Sequence, residues 1–248
     1  GSDDRRRESL RSAHLPPDEG NRTAMSTAFL FDLDGTLVDS VYQHVRAWHL
    51  ALREEGIDLS VWRIHRKIGM SGGLFTNQLL RELGRPIDED TIERLRATHA
   101  AMYRAIAGEV VPLPGATDLL AALDGLKLPW GIATSGRMLT AEPNLRALGL
   151  DPQQATVVTR DQVSWAKPDP DLFVEAARRL GTSAVGSYVI GDSIWDMLAA
   201  ARCGALGIGL LSGGYGREEL MDAGALRVYD DPADMLAHLD EIAPRTRD

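Results

Sequence analysis

Phe31-Asp32-Leu33-Asp34-Gly35-Thr36-Leu37-Val38-Asp39-Ser40 is the stretch that decides the fold. It follows an apolar run, Ala28 to Phe31, that reads as a short buried strand. Asp32 and Asp34 are two residues apart, so on an extended chain they project to the same side. Gly35 lets the chain turn sharply straight after them. Two acidic groups therefore converge at the mouth of a strand, where the backbone bends away and leaves room for a ligand. Like charges that close repel unless something neutralises them. A divalent cation does so, and a small set of hard oxygen ligands favours Mg2+.

Downstream, the chain divides into two kinds of text. Ser40 is a good helix N-cap. It precedes Val41 to Glu55, where Val41, Val45, Trp48 and Leu52 recur at helical spacing and Gly56 closes the helix. Further helices are predicted over 60–68, 72–83 and 88–107, with no alternating strand pattern between 41 and 110. Val111-Pro112-Leu113-Pro114-Gly115 marks a boundary. Beyond it, helices over 116–123, 139–148, 170–180, 194–203 and 216–223 alternate with strands over 129–134, 155–159, 187–190, 205–210 and 227–229. A last helix follows.

Such alternation builds a parallel sheet with helices on both faces, and the strand at 28–31 has to pair with the later set. The expected fold is α/β: a Rossmann-like core from residues 25–40 and 112–248, split by an all-helical insert over 41–111. Residues 1–24 are polar, and the run Asp3-Asp4-Arg5-Arg6-Arg7-Glu8 mixes both signs of charge. They are expected to form a disordered tail or an expression remnant, with Met25 as the original start.

Ligands in such sheets bind beyond the carboxyl ends of the strands, and three more strings fall there. Thr134-Ser135-Gly136 follows the strand Trp130-Gly131-Ile132-Ala133 and offers hydroxyl and N–H donors suited to phosphoryl oxygens. Lys167 stands in Ala166-Lys167-Pro168-Asp169-Pro170, whose prolines stiffen the approach to the next helix. Gly191-Asp192-Ser193-Ile194-Trp195-Asp196 puts Asp192 at a strand end and Asp196 one helical turn later. Alone, each has an ordinary reading: a common loop, a surface lysine, a helix N-cap. Their order and spacing behind the 31–40 string set them apart.

Together the four strings resemble the signature of the haloacid dehalogenase (HAD) superfamily. Within it they resemble the subclass with a helical cap inserted after the first strand, which holds phosphoglycolate phosphatases and β-phosphoglucomutases. The resemblance runs from about residue 28 to 240. It implies that Asp32 is the nucleophile that becomes an aspartyl-phosphate, a route open to carboxylates. Asp34 would be the general acid toward the leaving alcohol and then the base for water. Thr134 would bind the phosphoryl group with Ser135 and Gly136 beside it, and Lys167 would hold the phosphate. Mg2+ would be held by Asp32, the backbone carbonyl of Asp34 and Asp192, with Asp196 orienting the groups around it.

The dehalogenases lack a carboxylate at the position of Asp34, so its presence points to phosphate esters. To carry a proton near neutral pH, Asp34 needs a pKa raised well above ~4. Relatives read the leaving group with a cap loop that here runs Lys67-Ile68-Gly69-Met70-Ser71-Gly72-Gly73, which makes Lys67 and Ser71 candidate substrate contacts. His44, on the first cap helix, is a candidate for substrate contact or gating, and Arg137 for a further phosphate contact.

Composition narrows the partners. The 248 residues are 44% hydrophobic and 25% charged, as in an ordinary globular protein. A net charge of −9 argues against binding a nucleic-acid backbone. No apolar run reaches the length of a membrane span, no secretory signal is visible, and the single Cys203 has no intramolecular partner. The expectation is a cytoplasmic monomer or homodimer, with a small phosphorylated metabolite as partner and neither nucleic acid nor membrane.

The expected function is a Mg2+-dependent phosphatase. A β-phosphoglucomutase-like phosphomutase is the alternative enzyme, but the mutase has Glu-Asp where this chain has Gly191-Asp192, and it lacks the acid that matches Asp196. A non-catalytic interaction protein on the same scaffold would be expected to have lost Asp32, Asp34 or Lys167.

Overall fold

In the computed structural model, which describes residues 27–84 and 86–243, β1 (Phe29–Phe31) lies in the middle of a six-stranded sheet. The expectations for residues 1–24 and for Met25 fall outside the described residues. β1 pairs in parallel with β2 (Trp130–Ala133) on one side and β4 (Tyr188–Gly191) on the other. β3 (Val157–Val158) extends the β2 side, and β5 (Leu206–Leu210) and β6 (Ala225–Tyr229) extend the β4 side. The order is β3-β2-β1-β4-β5-β6. The direction of winding reverses between β1 and β4, which opens a crevice at their carboxyl ends.

Period-two alternation in β1 divides the core into two layers. Phe29 and Phe31 pack on one face with α5 (Ala116–Gly125), α6 (Met138–Ala147) and α10 (Pro232–Ala237). Leu30 packs on the other with α7 (Asp171–Arg179) and α8 (Ile194–Arg202). A short α9 (Arg217–Asp222) covers the β5–β6 edge. All three β1 residues are fully buried, as a strand covered on both faces requires.

Between β1 and β2 the chain forms α1 (Val41–Glu54), α2 (Val61–His65), α3 (Gly72–Leu83) and α4 (Glu89–Ile106). These helices have an apolar cluster of their own, including Val45, Leu52, Ile64, Phe75, Leu79 and Leu95. The insert leaves and re-enters the core through adjacent backbone segments. The Asp39 N–H donates to the Val111 carbonyl, and the Leu113 N–H to the Leu37 carbonyl, both at 2.9 Å.

One local expectation needs correcting. Ser40 stands at the N-cap of α1 but makes no capping bond with its side chain. Its hydroxyl donates instead to Asp34 Oδ1 at 2.7 Å. The charged carboxylate is a strong acceptor, and it fixes the hydroxyl toward Asp34.

Gly35 has φ +79°, and a Cβ built on it would lie 2.5 Å from Val41 Cγ2 and 2.6 Å from Asp192 Oδ2. Gly35→Ala is therefore expected to cost more than the ~1–2 kcal/mol of left-handed backbone strain alone. Urea unfolding of the variant checks this, and a loss under about 1 kcal/mol would contradict the packing described.

Candidate active site

The carboxyl end of β1 carries the first acid. Asp32 continues the sheet, its N–H donating to the Ile190 carbonyl at 2.8 Å. β4 ends at Gly191, which puts Asp192 beside it, and the capped start of α8 delivers Asp196. Each of the three offers an oxygen within 4.8 Å of the others, and all three are buried. Lys167, from the loop between β3 and α7, is 0% exposed. Its ammonium lies 2.5 Å from Asp32 Oδ1 and 2.7 Å from Asp196 Oδ1.

Charge in this cluster does not balance. Burial raises the pKa of Asp32 from 3.8 to about 7, because Lys167 only partly offsets it and Asp196 and Asp34 add repulsion. Burial, then repulsion from Asp196 and Asp32, pushes Asp192 well above the usual carboxylate range. Burial also works against the charge on Lys167, but Asp196 and Asp32 outweigh it and its pKa goes up. Three acids thus share one ammonium, a donor set that fits a divalent cation. Asp196 is already engaged: Oδ2 accepts from the Ser193 N–H at 3.1 Å and its hydroxyl at 2.6 Å, while Oδ1 faces Lys167. Among the described residues, Asp192 accepts one side-chain bond, from the Thr36 hydroxyl at 3.0 Å.

A cavity of about 290 Å³ opens beside the cluster. Asp32, Asp34, Thr134 and Gly136 line its core side. Trp48, Phe75, Arg96 and His99 line the insert side. Thr134 is buried, and its Oγ1 accepts from the Gly136 N–H at 3.0 Å.

Asp34 departs from expectation. Burial favours its neutral form, but the adjacent His44 and hydrogen bonds from His44 and Ser40 outweigh it, so its pKa is lowered rather than raised. His44 Nε2 stands 3.2 Å from Asp34 Oδ1, which brings the predicted histidine into direct contact with the predicted acid.

The loop residues predicted to touch substrate are placed differently. Lys67 borders the cavity, but its ammonium is 2.7 Å from Glu82 and 3.3 Å from the Arg63 carbonyl, turned into the insert. Ser71 does not line the cavity: its hydroxyl caps α3 by accepting from the Leu74 N–H, and its own N–H donates to the Lys167 carbonyl at 2.8 Å. Ser135 lines the cavity, yet its hydroxyl donates to the Gly69 carbonyl at 3.0 Å. The last two bonds join the insert loop to the core. Arg137 sits at the cavity mouth, largely exposed, 3.7 Å from Asp161.

Sequence reasoning missed Trp48, Arg96, His99, Tyr103 and Asn144. Arg96, His99 and Tyr103 recur at three- and four-residue steps on α4, and Trp48 lies four after His44 on α1. The spacing was visible, but not that those two faces meet over the site. Asn144 carries no signal without its partners.

Comparison with known proteins agrees with this geometry. Residues 27–204 match the model of the haloacid dehalogenase-like hydrolase family. The phosphoglycolate phosphatase of Rhodospirillum rubrum is 33% identical over 85% of this chain and 90% of that protein. Hexitol phosphatase A of Escherichia coli is 32% identical over 71% of this chain and 79% of that protein. The crystal structure of a hydrolase from Pseudomonas syringae superposes with a TM-score of 0.86 at 58% identity, covering 88% of this chain and 100% of that one. The chain belongs to the haloacid dehalogenase-like hydrolases.

The acid cluster sets a pH dependence. Asp32 holds its proton more tightly folded than unfolded, so its contribution to stability is full below about pH 4 and is lost as pH rises toward about 7. With chelator present, the stability of the parent chain relative to Asp32→Asn should fall across that range, and saturating Mg2+ should remove the fall. Urea midpoints at stepped pH check it. A difference flat with pH would contradict the charge deficit.

Proposed function

We propose that this chain is a Mg2+-dependent phosphatase of a small phosphorylated metabolite, of the phosphoglycolate or sugar phosphate type, working through an aspartyl-phosphate on Asp32. The chain is a phosphoric monoester hydrolase of the family just named, as its curated relatives are. The observation that carries the finer reading is that Asp32, which lines one small cavity together with Asp34, is grouped on its buried side with Lys167, Asp192 and Asp196.

Asp32 attacks phosphorus, the P–O bond to the leaving alcohol breaks, and Asp34 protonates the departing oxygen. Asp34 then takes a proton from water as that water attacks the phosphorus of the aspartyl-phosphate, which frees phosphate and restores Asp32. Asp34 is charged in the resting site. A phosphate dianion entering beside it favours its protonated form, and His44 Nε2 stands 3.2 Å from the same carboxylate.

The Thr134 hydroxyl would meet the phosphoryl oxygens from the cavity wall, and Lys167, held by Asp196, would add its charge from beside Asp32. Asp32, Asp192 and the Asp34 backbone carbonyl would hold Mg2+. When bound, the ion supplies positive charge to the phosphoryl group, where positioning and charge stabilisation do most of the catalysis. The insert, as a cap bonded to the core through Ser135 and Ser71, keeps bulk water from the reacting phosphoryl group.

The phosphomutase reading is weakened by one contact. A Cβ on Gly191 would lie 2.2 Å from Asp196 Cγ, so the glutamate that the mutase carries there cannot coexist with Asp196 as placed.

Phosphate release from a panel of esters, comprising p-nitrophenyl phosphate, phosphoglycolate, and hexose, pentose and hexitol phosphates, tests the proposal. Release should require Mg2+, stop with chelator, and fall by about 10³-fold or more in Asp32→Asn. Release unaffected by that substitution, or none from any ester, would overturn it.

A further inference from the structure

Asp34 is loaded on one side. Among the described residues, every hydrogen bond to its side chain falls on Oδ1: Ser40 Oγ and Asn144 Nδ2 each donate at 2.7 Å, and His44 Nε2 stands at 3.2 Å. Oδ2 lies toward Gly136, 3.8 Å from where a Cβ on that residue would sit, at the wall of the cavity. A carboxylate held this way cannot rotate freely, and one of its oxygens is reserved for whatever occupies the cavity.

Asn144 is the unexpected member of this set. It is 0% exposed, in the second half of α6, next to the buried Leu145 of the main core. A buried amide is costly unless both ends are satisfied. Here both are, since Oδ1 accepts from the Tyr103 hydroxyl at 2.7 Å while Nδ2 donates to Asp34. Tyr103 is itself 0% exposed, on α4 of the insert.

The Tyr103 ring stacks on His44 with centroids 3.8 Å apart and planes within 4°. His44 Nδ1 in turn lies 3.1 Å from His99 Nε2, and His99 stacks on Trp48 at 4.1 Å. Contacts therefore close on themselves, from Asp34 to Asn144 to Tyr103 to His44 and back to Asp34. The members come from the loop after β1, from α6, from α4 and from α1. Neither Asn144 nor Tyr103 lines the cavity, and both are 0% exposed.

We propose that Asn144, fixed by Tyr103, is a positioning residue for Asp34. It commits Oδ1 to the protein and leaves Oδ2 to give its proton to the leaving oxygen as the P–O bond breaks. The proposal rests on the reading of Asp34 as the proton donor. It adds two residues, one from the core and one from the insert, whose effect on the reaction passes entirely through Asp34. A buried amide that served packing alone would affect all substrates alike. A positioning residue for the acid matters most where the leaving group needs a proton.

The test compares p-nitrophenyl phosphate, whose phenolate leaves with little need of a proton, with the alkyl phosphate that the parent chain cleaves fastest in the panel. Asn144→Leu should lower kcat/KM on the alkyl ester, which reports the steps through departure of the leaving group and not the later hydrolysis of the aspartyl-phosphate, by about tenfold or more, general acid catalysis being worth 10²–10⁴-fold. On p-nitrophenyl phosphate kcat/KM should change by less than about threefold. Tyr103→Phe, which removes only the hydroxyl, should shift kcat/KM in the same direction by less, and it carries the test should Asn144→Leu fail to fold.

Asp34→Asn serves as reference. If it discriminates between the two esters and the Asn144 and Tyr103 variants do not, the positioning proposal is overturned and the acid reading stands. If Asp34→Asn itself shows no discrimination, Asp34 is not the proton donor and the proposal falls with that reading. Equal losses of kcat/KM on both esters would likewise overturn it.

Discussion

Lys167 has no contact with solvent, and its ammonium bridges Asp32 and Asp196 at 2.5 and 2.7 Å. Most of what surrounds it follows from that arrangement. A third acid, Asp192, lies in the same cluster, so the folded chain encloses two more acids than a single lysine can neutralise. Buried like charges are tolerated only where something compensates them. The parallel sheet makes the crowding possible by ending β1 and β4 side by side, and the chain reversal between them leaves the space in front open. Removing Lys167 would leave acids with no internal counter-charge, so the residue serves the fold.

Asp34 stands in a different field, although it is only two residues from Asp32. Burial raises the pKa of Asp32 to about 7, whereas His44 and Ser40 bring that of Asp34 down. The sense is the reverse of what an ionised nucleophile and a protonated acid need, so the proposed roles depend on a cation beside Asp32 and a phosphate dianion beside Asp34 to exchange the two preferences. The contrast puts the hydrogen-bonded acid under control of the insert, since His44 and Tyr103 lie on its helices. The insert is thus part of the site's electrostatics as well as its cover. The bonds from Ser135 to Gly69 and from Ser71 to Lys167 tie the insert to the core beside the cavity and the acid cluster.

Much of this was legible in the sequence because it is local. Asp32, Asp34, Lys167 and Asp192 each follow a strand or precede a helix in a short string of fixed spacing, and a strand end aims its residues without help from distant parts of the chain. The α/β alternation and the helical insert were readable from periodicity for the same reason. What depends on two elements meeting was not readable. Ser40 looked like a cap because a serine before a helix usually is one, and its bond to Asp34 exists only because the Gly35 turn brings the chain back. Lys67 looked like a substrate contact until Glu82, fifteen residues on, took its ammonium. Asn144 gained its meaning from Tyr103 and Asp34, which lie 41 and 110 residues away.

The central claim is that the three-acid, one-lysine cluster is completed by a single divalent cation. Titration calorimetry of Mg2+ into the chelator-treated chain tests it most directly. One Mg2+ per chain, with binding lost in Asp192→Asn and kept in the cavity-mouth variant Arg137→Ala, is the predicted result. No saturable binding, or binding that Asp192→Asn leaves unchanged, would contradict the account.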